Sequence, residues 1–126
     1  DRFQGVAAAS PSVWFPGFLP YMKEHRIHSP LVYLSLGDRE EKTKNPVLAC
    51  VGDCMREGHH WLENQGIRCT LEWNPGSHFR DAALRTAKAF AWVMQQKIPG
   101  RICPETEKTD RQRPLRLRNH PVGTGL

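Results

Sequence analysis

Three short apolar runs alternate with segments of helical periodicity, and this order constrains the fold more than any other feature of the sequence. The runs are residues 5–10, 31–36 and 67–73. The first two are almost continuously apolar without two-residue alternation, which is typical of strands covered on both faces. The third alternates more, so we expect it to lie near an edge. Because helices return between successive strands, the sequence predicts an α/β fold with a partial parallel sheet of three strands and flanking helices.

The spacing of apolar residues and the signals at the segment ends predict two main helices. Asn45 and Pro46 supply an N-cap and a proline at the first helical position, and Gly66 supplies a stop, so one continuous helix is expected between them. Its apolar stripe consists of Val47, Val51, Cys54, Met55, Gly58 and Leu62. A second stripe predicts a helix that ends before Pro99 and consists of Phe79, Ala82, Ala83, Ala87, Phe90, Val93 and Met94. Trp92 falls on the side of this helix that is predicted to be polar.

The other segments are predicted to be irregular. Residues 11–30 are rich in proline and aromatic residues, which predicts a loop with a turn or two of helix near residues 19–25. Residues 99–126 contain few large apolar residues, so we expect a flexible basic tail after a domain of residues 1–98. The arginines of this tail have no aromatic residues interleaved with them, and nucleic-acid binding is therefore not expected.

Charge and composition narrow the class of protein. The formal net charge is +5, and part of the excess lies in the tail. The apolar runs are far shorter than the roughly 18 residues of a membrane span, and no secretory leader opens the sequence, so no membrane association is expected. Four scattered cysteines favour buried thiols in a reducing compartment, and we expect a cytoplasmic protein. No phosphate-binding glycine loop occurs, so no cofactor is predicted. No metal is predicted either, because His25 and His28 have no Cys or Asp nearby and the adjacent His59 and His60 would point in different directions on a helix.

Polar residues follow the second and third predicted strands. Asp38, Glu40 and Glu41 come directly after the second strand, and His78 follows the third. Functional groups of an open α/β sheet collect on the loops at the carboxyl ends of its strands, and adjacent strands lie about 5 Å apart. A carboxylate of the first loop is therefore within reach of the imidazole on the second. Such a carboxylate fixes the tautomer of the histidine, whose other nitrogen can then move a proton. The alternative interpretation is that His78 only caps or packs the start of the last helix.

Several segments, in order, resemble one family of enzymes. They are YLSLGDREEKTKNP at 33–46, TLEWNPGSHFRD at 70–81 and RTAKAFAWV at 85–93, preceded by VAAASPSVWFPGF at 6–18. Together they look like the carboxyl-terminal part of bacterial esterases of the α/β-hydrolase fold, the superfamily of the enterobactin and ferri-siderophore esterases and of the esterase D type. The resemblance covers roughly residues 3–97. It implies a three-layer α/β-hydrolase-like partial sheet and a small-molecule ester substrate.

The resemblance also implies roles for individual residues. His78 matches the catalytic histidine of these enzymes and would be the general base. Glu40, three residues after Gly37, is the expected acid, with Asp38 and Glu41 as alternatives. Three more residues are expected to face the substrate: Ser10, Ser12 and Trp14. The two serines do not stand in a nucleophile elbow and are not expected to be nucleophiles.

The serine nucleophile of the family has no counterpart in this sequence. No G-x-S-x-G motif occurs, and the family's elbow would precede residue 1. We therefore expect a truncated esterase, inactive by itself, whose partner is a missing amino-terminal half. The alternative from another class is a non-catalytic interaction module that forms a homo-oligomer through the sheet edge left bare by the absent strands.

Overall fold

The computed structural model describes residues 3–96, which form a three-stranded parallel sheet with helices on both faces. The strands are β1 (Val6–Ala9), β2 (Leu31–Gly37) and β3 (Arg68–Asn74), in the order β1-β2-β3. Both strand pairs are parallel. This confirms the predicted α/β class, the three strands and the edge position of the third. The predicted tail at 99–126 lies outside the described residues.

The helices are α1 (Phe18–Glu24), α2 (Pro46–Ala49), α3 (Val51–Asn64) and α4 (Ala82–Gln95). The prediction of one continuous helix from Pro46 was wrong, because the helix is interrupted at Cys50, between α2 and α3. There the backbone N–H of Cys50 bonds to the carbonyl of Leu48 rather than to one four residues earlier. The predicted end signals are confirmed. Asn45 accepts hydrogen bonds at the start of α2, and Gly66 has a φ of 74° just after α3.

One face of the sheet and α3 enclose the main hydrophobic core. Its buried members are Val13, Val32, Leu34, Leu36, Val51, Met55 and Leu62. The predicted stripe of α3 is thus confirmed at its centre, where Met55 is fully buried. It was wrong at Val47, which lies on the separate helix α2 and remains 48% exposed.

The orientation of α4 on the opposite face of the sheet differs from the prediction. Most of the predicted stripe is exposed, with Phe90 at 61% and Met94 at 83%. The helix instead buries Arg85 and Ala89. Trp92 follows them on the same side and packs on Tyr33 of β2, with ring centroids 5.9 Å apart. The apolar pattern predicted the wrong rotation of α4, because the buried position on this helix is held by Arg85, which pairs with Glu40.

The first strand is less covered than predicted. β1 was expected to be buried on both faces, but its outer residues Val6 and Ala9 are exposed. Within residues 3–96, β1 pairs only with β2, so its other edge has no strand beside it. No helix in this part of the chain is long and apolar enough to cross a membrane.

Candidate functional site

The loops that follow β2 and β3 are fastened together by backbone hydrogen bonds. The N–H of Asp38 donates to the carbonyl of Asn74 at 2.8 Å, and the N–H of Gly76 donates to Oδ1 of Asp38, also at 2.8 Å. Gly37 permits this close approach. A Cβ at this position would collide with the Gly76 carbonyl and would lie 2.9 Å from Oε1 of Glu40. The two loops therefore hold their side chains in a fixed relation.

His78 and Glu40 form a hydrogen-bonded pair across these loops. The distance from Nδ1 of His78 to Oε2 of Glu40 is 2.9 Å. An ionised carboxylate accepts but cannot donate, so the neutral imidazole carries its proton on Nδ1 and leaves the lone pair of Nε2 available. The His78 side chain is 54% exposed, whereas that of Glu40 is only 8% exposed. The pair thus joins an accessible base to a buried acid.

Three further donors hold the other oxygen of Glu40. Oε1 accepts hydrogen bonds from Oγ of Ser10 and from the N–H of Gly37, both at 2.7 Å, and from Nη1 of Arg85 at 3.1 Å. Burial alone would raise the pKa of the Glu40 carboxyl, but the hydrogen bonds from Ser10, His78 and Gly37 outweigh it and hold the pKa below its usual value. Glu40 is therefore an anion at neutral pH.

Ser10 stands directly after β1 in a backbone conformation that is uncommon for residues other than glycine. Its φ is 50°, and its N–H donates to the carbonyl of Ser35 at 2.8 Å. This conformation accompanies the contact of its hydroxyl with Glu40. We expected Ser10 on the substrate side, and its contact with Glu40 was not predicted, since the sequence gives no signal for the unusual backbone angle.

A cleft of about 440 Å³ opens beside the pair. His78 and Glu40 line it together with Ser10, Ser12 and Trp14, the three residues expected on the substrate side. Phe79, which follows His78, adds an apolar wall and is 87% exposed. The cleft thus combines the imidazole of His78 with apolar and hydroxyl-bearing walls and with Arg39, which also lines it.

The two alternative acids make other contacts. The Asp38 carboxylate accepts a hydrogen bond from the Gly76 N–H and so stabilises the backbone of the loop after β3. Glu41 lies against the start of α3 at Gly52, and its carboxylate is 3.5 Å from Arg56. Of the three carboxylates at this loop, Glu40 is the one that contacts His78.

Arg85 is the site residue that sequence reasoning missed. Its side chain is 3% exposed and bonds to Glu40 and to the loop that carries His78. A signal was present in the sequence. One face of the helix carries residues spaced by four and three positions, namely Arg85, Ala89 and Trp92. A tryptophan on the side predicted to be polar indicated that this face is the buried one.

Histidines and cysteines also lie elsewhere in residues 3–96, and the sulfur atoms of Cys50 and Cys54 are 3.8 Å apart. No group of three or more His, Cys, Asp or Glu in this part of the chain is arranged to hold a metal ion. Burial raises the pKa of the Cys54 thiol and that of Cys69 to about 11 each, so both thiols are protonated at neutral pH. His25, directly after α1, stacks on Tyr21 of that helix, with ring centroids 3.9 Å apart.

The chain is thus an α/β protein with a parallel sheet. At the carboxyl ends of its strands, a buried carboxylate is paired with a histidine. Comparisons with protein-family models, with curated proteins and with solved structures found no match.

Proposed function

We propose that this chain supplies the acid and the base of a carboxylic-ester hydrolase site of the Ser-His-Asp/Glu type. His78 is the general base and Glu40 is the acid that orients it. The observation that carries the proposal is the 2.9 Å contact between Nδ1 of His78 and a Glu40 carboxylate whose other oxygen is fully engaged. The order of sequence segments that resemble esterases supports the same interpretation.

The geometry suits proton transfer in both directions. In the proposed reaction, Nε2 of His78 takes the proton of a serine hydroxyl as the serine oxygen attacks the ester carbonyl. The imidazolium formed is stabilised by the Glu40 anion. It then gives the proton to the leaving alkoxide, which departs as an alcohol and leaves an acyl-serine. Water hydrolyses this acyl group with the same base, which releases the acid and restores the serine.

The proposed serine comes from outside the described residues. Within residues 3–96, no hydroxyl or thiol hydrogen-bonds to Nε2 of His78, and the hydroxyl of Ser10 donates to Glu40 instead. We infer that a segment with a nucleophile elbow completes the site, and that its strand adds to the unpaired edge of β1. This chain by itself is then expected to show no esterase activity, because the groups of a triad act as a unit.

The test is the hydrolysis of p-nitrophenyl acetate by this chain and by a version extended with an upstream elbow segment. We expect background rates from the chain alone and turnover from the extended version. His78→Ala in the extended version should lower kcat by about a thousandfold or more. His60→Ala is the matched control, because His60 is an exposed histidine on α3 away from the cleft. An active extended version that tolerates His78→Ala would refute the proposal.

A second candidate function follows from the exposed surfaces. Within residues 3–96, β1 has a strand on one side only, and α4 exposes three large apolar residues, Leu84, Phe90 and Met94. Such edges pair readily with another chain, so the molecule would be a non-catalytic module that self-associates through β1. Sedimentation equilibrium tests this. Val6→Lys should dissociate the oligomer, while Glu24→Lys on the exposed side of α1 should not. A monomeric wild-type chain would exclude this function.

A further inference from the structure

We propose that Arg85 is a positioning residue for His78, because its guanidinium joins the Glu40 carboxylate to the backbone that carries the histidine. This inference rests on the proposed role of the Glu40–His78 pair. Arg85 does not line the cleft, so it is placed to act on the base through its neighbours rather than on a substrate.

The guanidinium spans three acceptors on two loops. Nη1 donates to Oε1 of Glu40 at 3.1 Å, and Nη2 donates to the carbonyl of Ser77 at 2.9 Å and to that of Pro75 at 3.4 Å. Ser77 immediately precedes His78 in the chain. One rigid, planar group thus fixes the carboxylate and the residue next to the imidazole at the same time.

The hydrogen bonds divide the two oxygens of Glu40 between separate tasks. Oε1 is held by Arg85, Ser10 and the Gly37 N–H, whereas Oε2 contacts His78. A carboxylate anchored through one oxygen cannot rotate, so the other oxygen keeps a constant direction toward Nδ1. The positive charge of Arg85 also compensates the buried anion.

Lysine cannot replace this arrangement. An ammonium group is a compact charge without the fork geometry of a guanidinium, so it reaches either Glu40 or the loop carbonyls but does not bridge them in one plane. The comparison of Arg85→Lys with Arg85→Met therefore separates the effect of charge from the effect of geometry. Arg80→Met is the matched control, since Arg80 lies close to His78 in the chain and its side chain is 62% exposed.

The first readout is the proton NMR signal of the His78 Nδ1–H, recorded on the full 126-residue chain. We expect a strongly downfield signal in the wild type and in Arg80→Met. It should be broadened in Arg85→Lys and lost in Arg85→Met, while the amide spectrum of the other residues shows that the variants remain folded. A folded Arg85→Met or Arg85→Lys with an unchanged signal would overturn the proposal, because a merely structural arginine would leave the signal in place.

A second measurement uses the wild type alone and does not depend on the folding of a variant. When the Glu40 carboxyl is titrated with acid, the side-chain signals of Arg85 and the His78 Nδ1–H signal should change together with it. An Arg85 signal that stays constant through this titration would overturn the proposal.

Neither readout requires ester hydrolysis, so a failure of the proposed activity is distinguished from a failure of this inference. In an active extended version, Arg85→Met should lower kcat about a hundredfold with little change in KM, the loss expected when a base is misplaced by about 1 Å.

Discussion

Replacing Gly37 with alanine tests whether the close approach of the two loops sets the geometry of the site. The added Cβ would collide with the Gly76 carbonyl and would lie 2.8 Å from Nη2 of Arg85 and 2.9 Å from Oε1 of Glu40. Ordinary contact for a Cβ begins at 3.4 Å, so the Arg85 atom must move by about 0.6 Å, the Glu40 atom by about 0.5 Å and the Gly76 carbonyl by more.

The size of the effect follows from this displacement. If the shift of Glu40 is passed on to its contact with His78, the distance grows from 2.9 Å to about 3.4 Å, beyond the roughly 2.7–3.2 Å of ordinary N–H···O hydrogen bonds. Inserting a methyl group into a packed site costs about 1–3 kcal/mol. We therefore expect Gly37→Ala to lower the free energy of unfolding by about 2 kcal/mol, and the urea midpoint by about 1 M.

Urea unfolding at neutral pH, together with the His78 Nδ1–H signal, measures both effects. Gly58→Ala is the matched control, because Gly58 is also buried but a Cβ there would make ordinary contacts, 3.5 Å from Leu19 and 3.6 Å from Met22. In the interior of α3, alanine is favoured over glycine by about 1 kcal/mol, so this control should be neutral or more stable. If Gly37→Ala unfolds at the wild-type urea concentration and keeps the Nδ1–H signal, the reasoning is refuted.

Three further predictions concern charge and packing. The pKa of Glu40 is lowered in the folded state, so its carboxylate stabilises the fold at pH values above the unfolded-state pKa of about 4.3. This contribution is lost as the pH falls through the folded-state pKa, and the difference in unfolding free energy between wild type and Glu40→Gln should therefore narrow in acid. Burial and the hydrogen bond to Glu72 raise the pKa of Tyr33 to about 12, so in Tyr21→Phe, where Tyr33 is the sole tyrosine, the phenolate absorbance should appear well above pH about 10. Half-buried Trp92→Ala should cost about 2 kcal/mol, whereas exposed Phe90→Gln should change stability by less than about 0.5 kcal/mol.

Each of these has an outcome that contradicts it. A difference between wild type and Glu40→Gln that stays constant from neutral pH into acid would show that the carboxylate contributes no pH-dependent stability. Ionisation of Tyr33 near pH 10, the usual value, would contradict its burial against Glu72. Equal costs for Trp92→Ala and Phe90→Gln would contradict the orientation of α4.

The predictions from sequence succeeded where one local pattern determines the outcome. The order of strands and helices, the parallel pairing and the end signals at Asn45 and Gly66 were all read correctly, because each depends on neighbouring residues and on general rules of chain connection. The expectation that a carboxylate after β2 reaches His78 follows from the same rules. The roles of Glu40 and His78 in catalysis stay a prediction.

One of the wrong predictions has a physical cause that the structure shows. The rotation of α4 depends on groups that are distant in sequence. Sequence periodicity assigned the apolar stripe to the buried side of α4, but an ion pair between residues 45 positions apart turned that stripe outward. A pattern of hydrophobicity contains no information about which charge will find a partner under a helix.

The sequence by itself determined the class of fold and the loops on which the polar residues lie, since strand and helix patterns and turn signals are local. Only the tertiary structure decided which of Asp38, Glu40 and Glu41 contacts His78, and that Arg85 and Ser10 hold the chosen carboxylate. The physical reason is that a hydrogen bond depends on distances of a few tenths of an ångström. Those distances are set by the packing of β1, β2, β3 and α4 together, and no single segment of the sequence contains them.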